Sequence, residues 1–191
     1  MDAAAWNERY AATALVWSAG PNQFVESELS DLPPGRALDL ACGEGRNARW
    51  LAERGWQVTA IDWSSVAIEK GRRTTDGVDW QVGDALTAPL PTDLDLAVLA
   101  YFQVVAEARR TAVRRSFDAL APGGRLFVIA HDSTNIAEGT GGPQDPAVLH
   151  TAEDVLNDLA DADLEVVRAE RVPREVDSGT AWDALVHLVR R

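Results

Sequence analysis

Cysteine is nearly absent: Cys42 is alone among 191 residues. A lone thiol cannot form an internal disulfide, so the fold is not a cross-linked scaffold, and a reducing cytoplasm suits it. Histidine is scarce too. His131, His150 and His187 are scattered and, with one cysteine, show no metal-ligand spacing, so no metal centre is expected. Positive charge is short: 18 Lys and Arg against 30 Asp and Glu leave a net charge of −12. That surface would repel a phosphate backbone, which argues against a nucleic-acid partner. No apolar run approaches the ~18–20 residues that span a bilayer. The opening "MDAAAWNERY" has acidic residues and no apolar signal region, so neither membrane insertion nor secretion is expected.

What is present is a balanced globular composition, 46% hydrophobic and 25% charged, enough for one domain with a full core. A monomer or homodimer is expected. Strand-like and helix-like segments alternate, which favours an α/β parallel sheet. Strands are expected at 37–41, 56–62, 78–85, 94–102 and 124–131. A helix runs from Arg46 to a stop at Gly55, a second follows a Ser64 or Ser65 cap, and a third precedes Pro122. Beyond His131 the pattern changes. Three Gly and two Pro in 131–148 predict a long irregular loop, of a kind that often serves as a lid or binding loop. A Thr151-capped helix follows, then two alternating segments joined across "DSG" that read as a closing antiparallel hairpin. The chain divides into an aromatic-rich helical lid (1–35), a cofactor-binding core (36–132), and a part with loop, helix and hairpin (133–191).

The chemistry is concentrated in "ALDLACGEGRNARWLAERGWQVTAIDWS", residues 37–64. Gly43-Glu44-Gly45-Arg46-Asn47-Ala48 satisfies G-x-G-x-x-A between a strand and a helix, and Asp62 follows at the spacing of a ribose-binding acid. That pattern alone would suit NAD. Asp39 argues otherwise, because a carboxylate four residues before the first glycine would repel a pyrophosphate. It would welcome an ammonium and a sulfonium. S-adenosylmethionine has both, with a ribose diol for Asp62 and an adenine amine for a third acid, Asp84, just past the third strand. The plainer alternatives are a helix cap for Asp39 and Asp62, turn geometry for the glycines, and a turn aspartate at Asp84. If the glycines face the cofactor, Gly43→Val or Gly45→Val should abolish binding and leave the fold intact.

The sequence here resembles the class I S-adenosylmethionine-dependent methyltransferases. "LDLACGEG" is similar to their first motif, "AID" to their ribose acid, "GDA" to their adenine motif, and "LAPGGRLFV" to the turn into their fifth strand. "CGEGRNARWLA" is similar to the tellurite-resistance and thiopurine methyltransferase-like branch. The resemblance implies a Rossmann-like seven-stranded α/β sheet in order 3-2-1-4-5-7-6, with strand 7 antiparallel and helices on both faces. It implies cofactor contacts from Arg9, Asp39, Gly43, Gly45, Asn47, Asp62, Trp63, Asp84, Ala85 and Ala100. Tyr101, His131 and His150 are candidate catalytic groups. Trp6, Tyr10, Trp17 and Phe24 are candidate lid aromatics. The expected reaction is methyl transfer to a small-molecule acceptor, with a soft or readily ionised nucleophile favoured because no base motif is evident. The alternatives are a non-catalytic S-adenosylmethionine-binding regulatory module and an NAD-dependent oxidoreductase.

Overall fold

The computed structural model describes residues 2–16 and 18–191. The expected segments form one sheet of seven strands: β1 (Arg36–Leu40), β2 (Gln57–Asp62), β3 (Val78–Val82), β4 (Leu94–Ala100), β5 (Leu120–His131), β6 (Leu164–Val176) and β7 (Gly179–Arg190). Their order is β3-β2-β1-β4-β5-β7-β6. β1, β2, β3, β4 and β5 pair in parallel, while β7 runs antiparallel to β5 and to β6. The fold is therefore the Rossmann-like sheet that the resemblance implied.

The helices are α1 (Ala3–Ala11), α2 (Gln23–Leu29), α3 (Arg46–Glu53), α4 (Ser65–Arg72), α5 (Ala106–Asp118), a short α6 (Asn135–Glu138) and α7 (Ala152–Asp158). Local chemistry explains their ends. Asp2 and Ser64 cap α1 and α4, and Thr151 makes a capping box with Asp154 at the start of α7. Gly55, at φ +91°, supplies the left-handed residue that follows α3.

Alternation along the central strands feeds two cores, one on each face. Ala37, Leu96, Val98, Phe127 and Ile129 join Trp50, Leu51 and Ile68. Leu38, Leu40, Ala97, Leu99, Leu126 and Val128 join Val113, Phe117 and Val155. Both faces of each strand are buried, so these segments read as continuous apolar runs.

Strand ends differ from expectation where the backbone changes region. Ala41 and Tyr101 sit at φ 59° and φ 58°, which stops β1 and β4 one and two residues early. The segment 131–150 is also less irregular than expected. It holds α6 and a 3-10 turn (Pro146–Val148), and its ends meet in a bridge between Asp132 and His150. Buried Asn135 fastens it, donating to the Gly141 carbonyl at 2.9 Å and accepting the Trp182 N–H at 2.7 Å.

Candidate active site

The glycine turn lies between β1 and α3. Gly45, at φ 74°, is the residue that starts α3, and it has no side chain with which to cap the helix. Asp39 does that work from inside the sheet: fully buried in β1, it accepts the Ala48 N–H at 3.0 Å. Its other oxygen, Oδ1, has no hydrogen-bond partner among the described residues. One oxygen thus does what the capping alternative required, and the second is left over.

Asp62 closes the turn from β2. It accepts the Gly43 N–H at 2.9 Å and the Ser64 N–H at 2.8 Å, one on each oxygen. Burial pushes its carboxyl up, and the two N–H donors oppose the rise. Asp84 accepts the Leu86 N–H at 2.8 Å in the turn beyond β3. Trp63 and Ala100 are half-buried at the ends of β2 and β4, and Ala85 is buried beside Asp84. Asp39, Asp62 and Asp84 thus lie in or just after three neighbouring strands.

Gly45 and Asn47 have structural duties as well. A Cβ at Gly45 would stand 2.1 Å from the Trp80 ring, so that glycine makes room for a core tryptophan. Asn47 is buried and accepts the Asn22 N–H at 2.9 Å, which ties the N-terminal segment to α3. Other bonds do the same. Asn7 Oδ1 accepts from Ser64 Oγ at 2.7 Å and from the Val66 N–H at 3.3 Å. Lys70 pairs with Glu44 at 3.0 Å and donates to the Thr13 carbonyl at 2.6 Å, while Glu44 accepts the Val16 N–H at 2.9 Å. Arg46 leans from α3 to Ser18 Oγ at 2.8 Å, within the field of Tyr101 and Asp39. Arg9 is exposed and its guanidinium stands over the Trp6 ring. Trp17 lies outside the described residues.

At the ends of β4 and β5 a second polar group assembles. Asp183, fully buried near the start of β7, accepts the Tyr101 O–H at 2.7 Å and the Arg174 Nε–H at 2.7 Å. His131 Nδ1 lies 3.2 Å from the same carboxylate. Burial alone would push the Asp183 carboxyl up, but His131, Arg174 and Tyr101 together hold it below the ordinary range. Burial, and then the Asp183 charge, push the Tyr101 phenol well up, so it stays protonated at neutral pH. In that form its hydroxyl serves as a hydrogen-bond donor. Gly142 packs against the His131 ring, where an added Cβ would come within 2.9 Å. Gln103 adds a buried amide donor with no partner among the described residues. Asp183 and Arg174 gave no motif in the sequence. Only the hairpin register, which pairs Val172 with Asp183 and so sets Arg174 diagonally beside that carboxylate, makes them visible.

His150 does not join this group. It is drawn into the interior beside α5 and α7, 1% exposed, with both ring nitrogens unpartnered among the described residues. Burial, reinforced by Arg109, lowers its pKa to about 4. It is neutral at neutral pH and shut off from solvent, so the structure does not support a catalytic role. It makes a pH prediction instead. The imidazole is held neutral when folded and titrates at an ordinary value when unfolded, so stability is complete above about pH 6.5 and falls as pH drops toward 4. The loss should approach about 3 kcal/mol. His150→Leu should flatten that part of the urea-denaturation profile; an unchanged slope would show that His150 is not buried neutral.

Among the described residues no cluster of His, Cys, Asp or Glu could hold a metal ion, and no helix is long and apolar enough to cross a membrane. Residues 37–124 match the methyltransferase domain family. The sheet order and its one antiparallel strand agree with that match. The chain carries a methyltransferase domain of the class I, S-adenosylmethionine-dependent kind.

This methyltransferase is similar to ribosomal RNA small subunit methyltransferase C of Chromohalobacter salexigens, with 30% identity over 67% of this chain and 45% of that protein. It is also similar to 2-phytyl-1,4-naphtoquinone methyltransferase of Synechococcus elongatus, with 37% identity over 51% of this chain and 46% of that protein. The match thus spans less than half the length of either relative. Among solved structures, TehB from Haemophilus influenzae superposes with a TM-score of 0.74 at 18% identity, over 97% of this chain and 66% of that one. At that identity the likeness is one of fold.

Proposed function

We propose that this methyltransferase transfers the methyl group of S-adenosylmethionine to a small-molecule acceptor whose nucleophile is soft or readily ionised. The observation that carries the reading is the row of carboxylates, Asp39, Asp62 and Asp84, at the ends of three adjacent strands around the glycine turn. The donor supplies an electrophilic methyl on a sulfonium. In this reading, Asp62 takes the ribose hydroxyls through the lone pairs its two backbone donors leave, and Asp84 takes the adenine amine. Gly43 keeps the backbone open, Arg9 takes the donor's carboxylate, and Trp63, Ala85 and Ala100 form apolar walls. Residues 1–35 would close over the turn through the contacts of Asn7, Asn22 and Lys70.

The acceptor would enter beside His131 and Tyr101. A thiolate or selenolate needs little more than positioning and exclusion of water. For an acceptor that must lose a proton, His131 is the candidate base, its Nδ1 3.2 Å from the Asp183 carboxylate. The similarity to a ribosomal RNA enzyme raises a nucleic-acid acceptor as the competing reading, which the net charge of −12 opposes. The lone cysteine favours a reducing, cytoplasmic setting, and the reading takes the protein as a monomer or homodimer.

The test is release of S-adenosylhomocysteine across a panel of thiols, phenols, halides and chalcogen oxyanions. Donor binding with no turnover on the panel or on RNA would favour a non-catalytic binding module. Binding of labelled NAD in its place would overturn the cofactor reading.

Asp62→Ala should weaken donor binding by about 2–4 kcal/mol in calorimetry, through loss of charge-assisted bonds in a partly dry site. It also unhooks Gly43 and Ser64, so a further ~1–3 kcal/mol of folding stability should go. Affinity within a factor of two of wild type would remove Asp62 from the site.

A further inference from the structure

Asp39 is placed where a carboxylate is hard to keep ionised. It is fully buried, flanked across the sheet by Ala60 on β2 and Val98 on β4. Its one hydrogen bond among the described residues is to the Ala48 N–H, and Oδ1 has no partner. The charged and titratable groups that face it are few. Arg46 on α3 attracts, the Asp62 carboxylate at the end of β2 repels, and the Cys42 thiol in the turn is itself held protonated by burial. Lacking an ion-pair partner, a buried acid of this kind takes the neutral form. Burial, the largest influence, lifts the Asp39 carboxyl to about 7.

We propose that Asp39 is a proton-exchanging anchor: it is a carboxylic acid in the free protein and a carboxylate when the α-ammonium of the methyl donor is seated at the glycine turn. The O–H bond of Asp39 breaks on binding, its proton leaves to the buffer, and the ammonium becomes the charge partner that the free protein lacks. Net charge is conserved, and no redox or group-transfer step is involved. One consequence is selectivity. A ligand without the ammonium gives no reason to ionise a buried acid, so adenine nucleosides lacking the amino-acid portion forgo this part of the binding energy. A pyrophosphate at the same turn would meet an acid with no cation to offer. The inference rests on the reading that the turn binds S-adenosylmethionine and its product.

The test is calorimetric titration of the wild-type protein with S-adenosylhomocysteine, which has the ammonium but no sulfonium. Buffers of differing ionisation enthalpy would be compared between about pH 6 and about pH 7.5, where the ligand amine stays charged. Binding should release nearly a whole proton near pH 6 and about half a proton near pH 7. 5′-Methylthioadenosine, which lacks the ammonium, should bind with no release. Asp39→Asn should abolish release with S-adenosylhomocysteine. As a second readout, the same variant should gain stability over wild type as pH rises from about 4 to about 7 and gain no more above that, because over this range the folded wild type must hold a proton that its unfolded chain has released. Binding without proton release by the wild type would overturn the inference and leave the donor assignment standing. So would equal release with methylthioadenosine, or a variant with no pH-dependent gain. Failure of S-adenosylhomocysteine to bind would overturn the donor assignment and the inference together.

Discussion

Gly45→Val is expected to destabilise this protein severely, not merely to block the cofactor. Gly45 sits at φ 74°, a region that a β-branched residue enters only under strain, and a Cβ there would stand 2.1 Å from the Trp80 ring. Trp80 has little room to retreat. It is 6% exposed, and a Cβ at Gly71 would stand 2.5 Å from the same edge of its ring, so two glycines clamp that edge. Backbone strain of ~1–2 kcal/mol and overpacking of ~1–3 kcal/mol together approach the margin of a typical domain. The thermal midpoint by circular dichroism should drop by more than about 10 °C, if a folded state survives at all. Trimming the ring with Trp80→Leu in the same chain should recover part of the loss. A Gly45→Val protein that melts near wild type would place Trp80 elsewhere. The sequence reading expected this variant to keep its fold and lose its ligand; the clamp on Trp80 reverses that order.

Asp183→Ala should be nearly as severe, for an electrostatic reason. The carboxylate is fully buried and serves Tyr101, Arg174 and His131 at once. Removing it leaves the Arg174 guanidinium and the Tyr101 hydroxyl in a partly dry place without their acceptor. Breaking a buried ion pair from one side costs about 3–5 kcal/mol. Tyr101→Phe removes a single neutral donor and should cost only about 1 kcal/mol. In urea denaturation the double variant should lose clearly less than the sum of the two, because the Tyr101–Asp183 bond is counted in both. Simple additivity would show that the two side chains do not meet. The same carboxylate is held below the ordinary range, so its contribution should persist through neutral pH and fade only in acid.

These two residues mark how far the sequence could be read. β1, β4 and most of β5 were legible as apolar runs buried on both faces, while the edge strand β3 was legible from its alternation, Val78 and Trp80 buried and Asp79 exposed. The hairpin of β6 and β7 was legible from its alternation about "DSG". The strand ends were less so, because Ala41 and Tyr101 adopt positive φ without the glycine or asparagine that usually announces it. Such strain at the ends of β1 and β4 falls where the sheet order switches direction, the place where ligands bind in open α/β sheets.

The sequence by itself determined the fold class, the family and the glycine turn with its three acids. These are local matters: a run of residues, a spacing, a turn that needs little from the rest of the chain. Only the tertiary structure decided what each of those residues does. Asp39 divides its two oxygens between a helix cap and an empty valence because β1 lies beneath α3. Gly45 is small for the sake of Trp80, 35 residues away in the chain. His150 is silenced by burial beside Arg109, and His131 is brought within 3.2 Å of Asp183. Those roles depend on desolvation and on contacts between distant segments, quantities that have no value until the chain is folded.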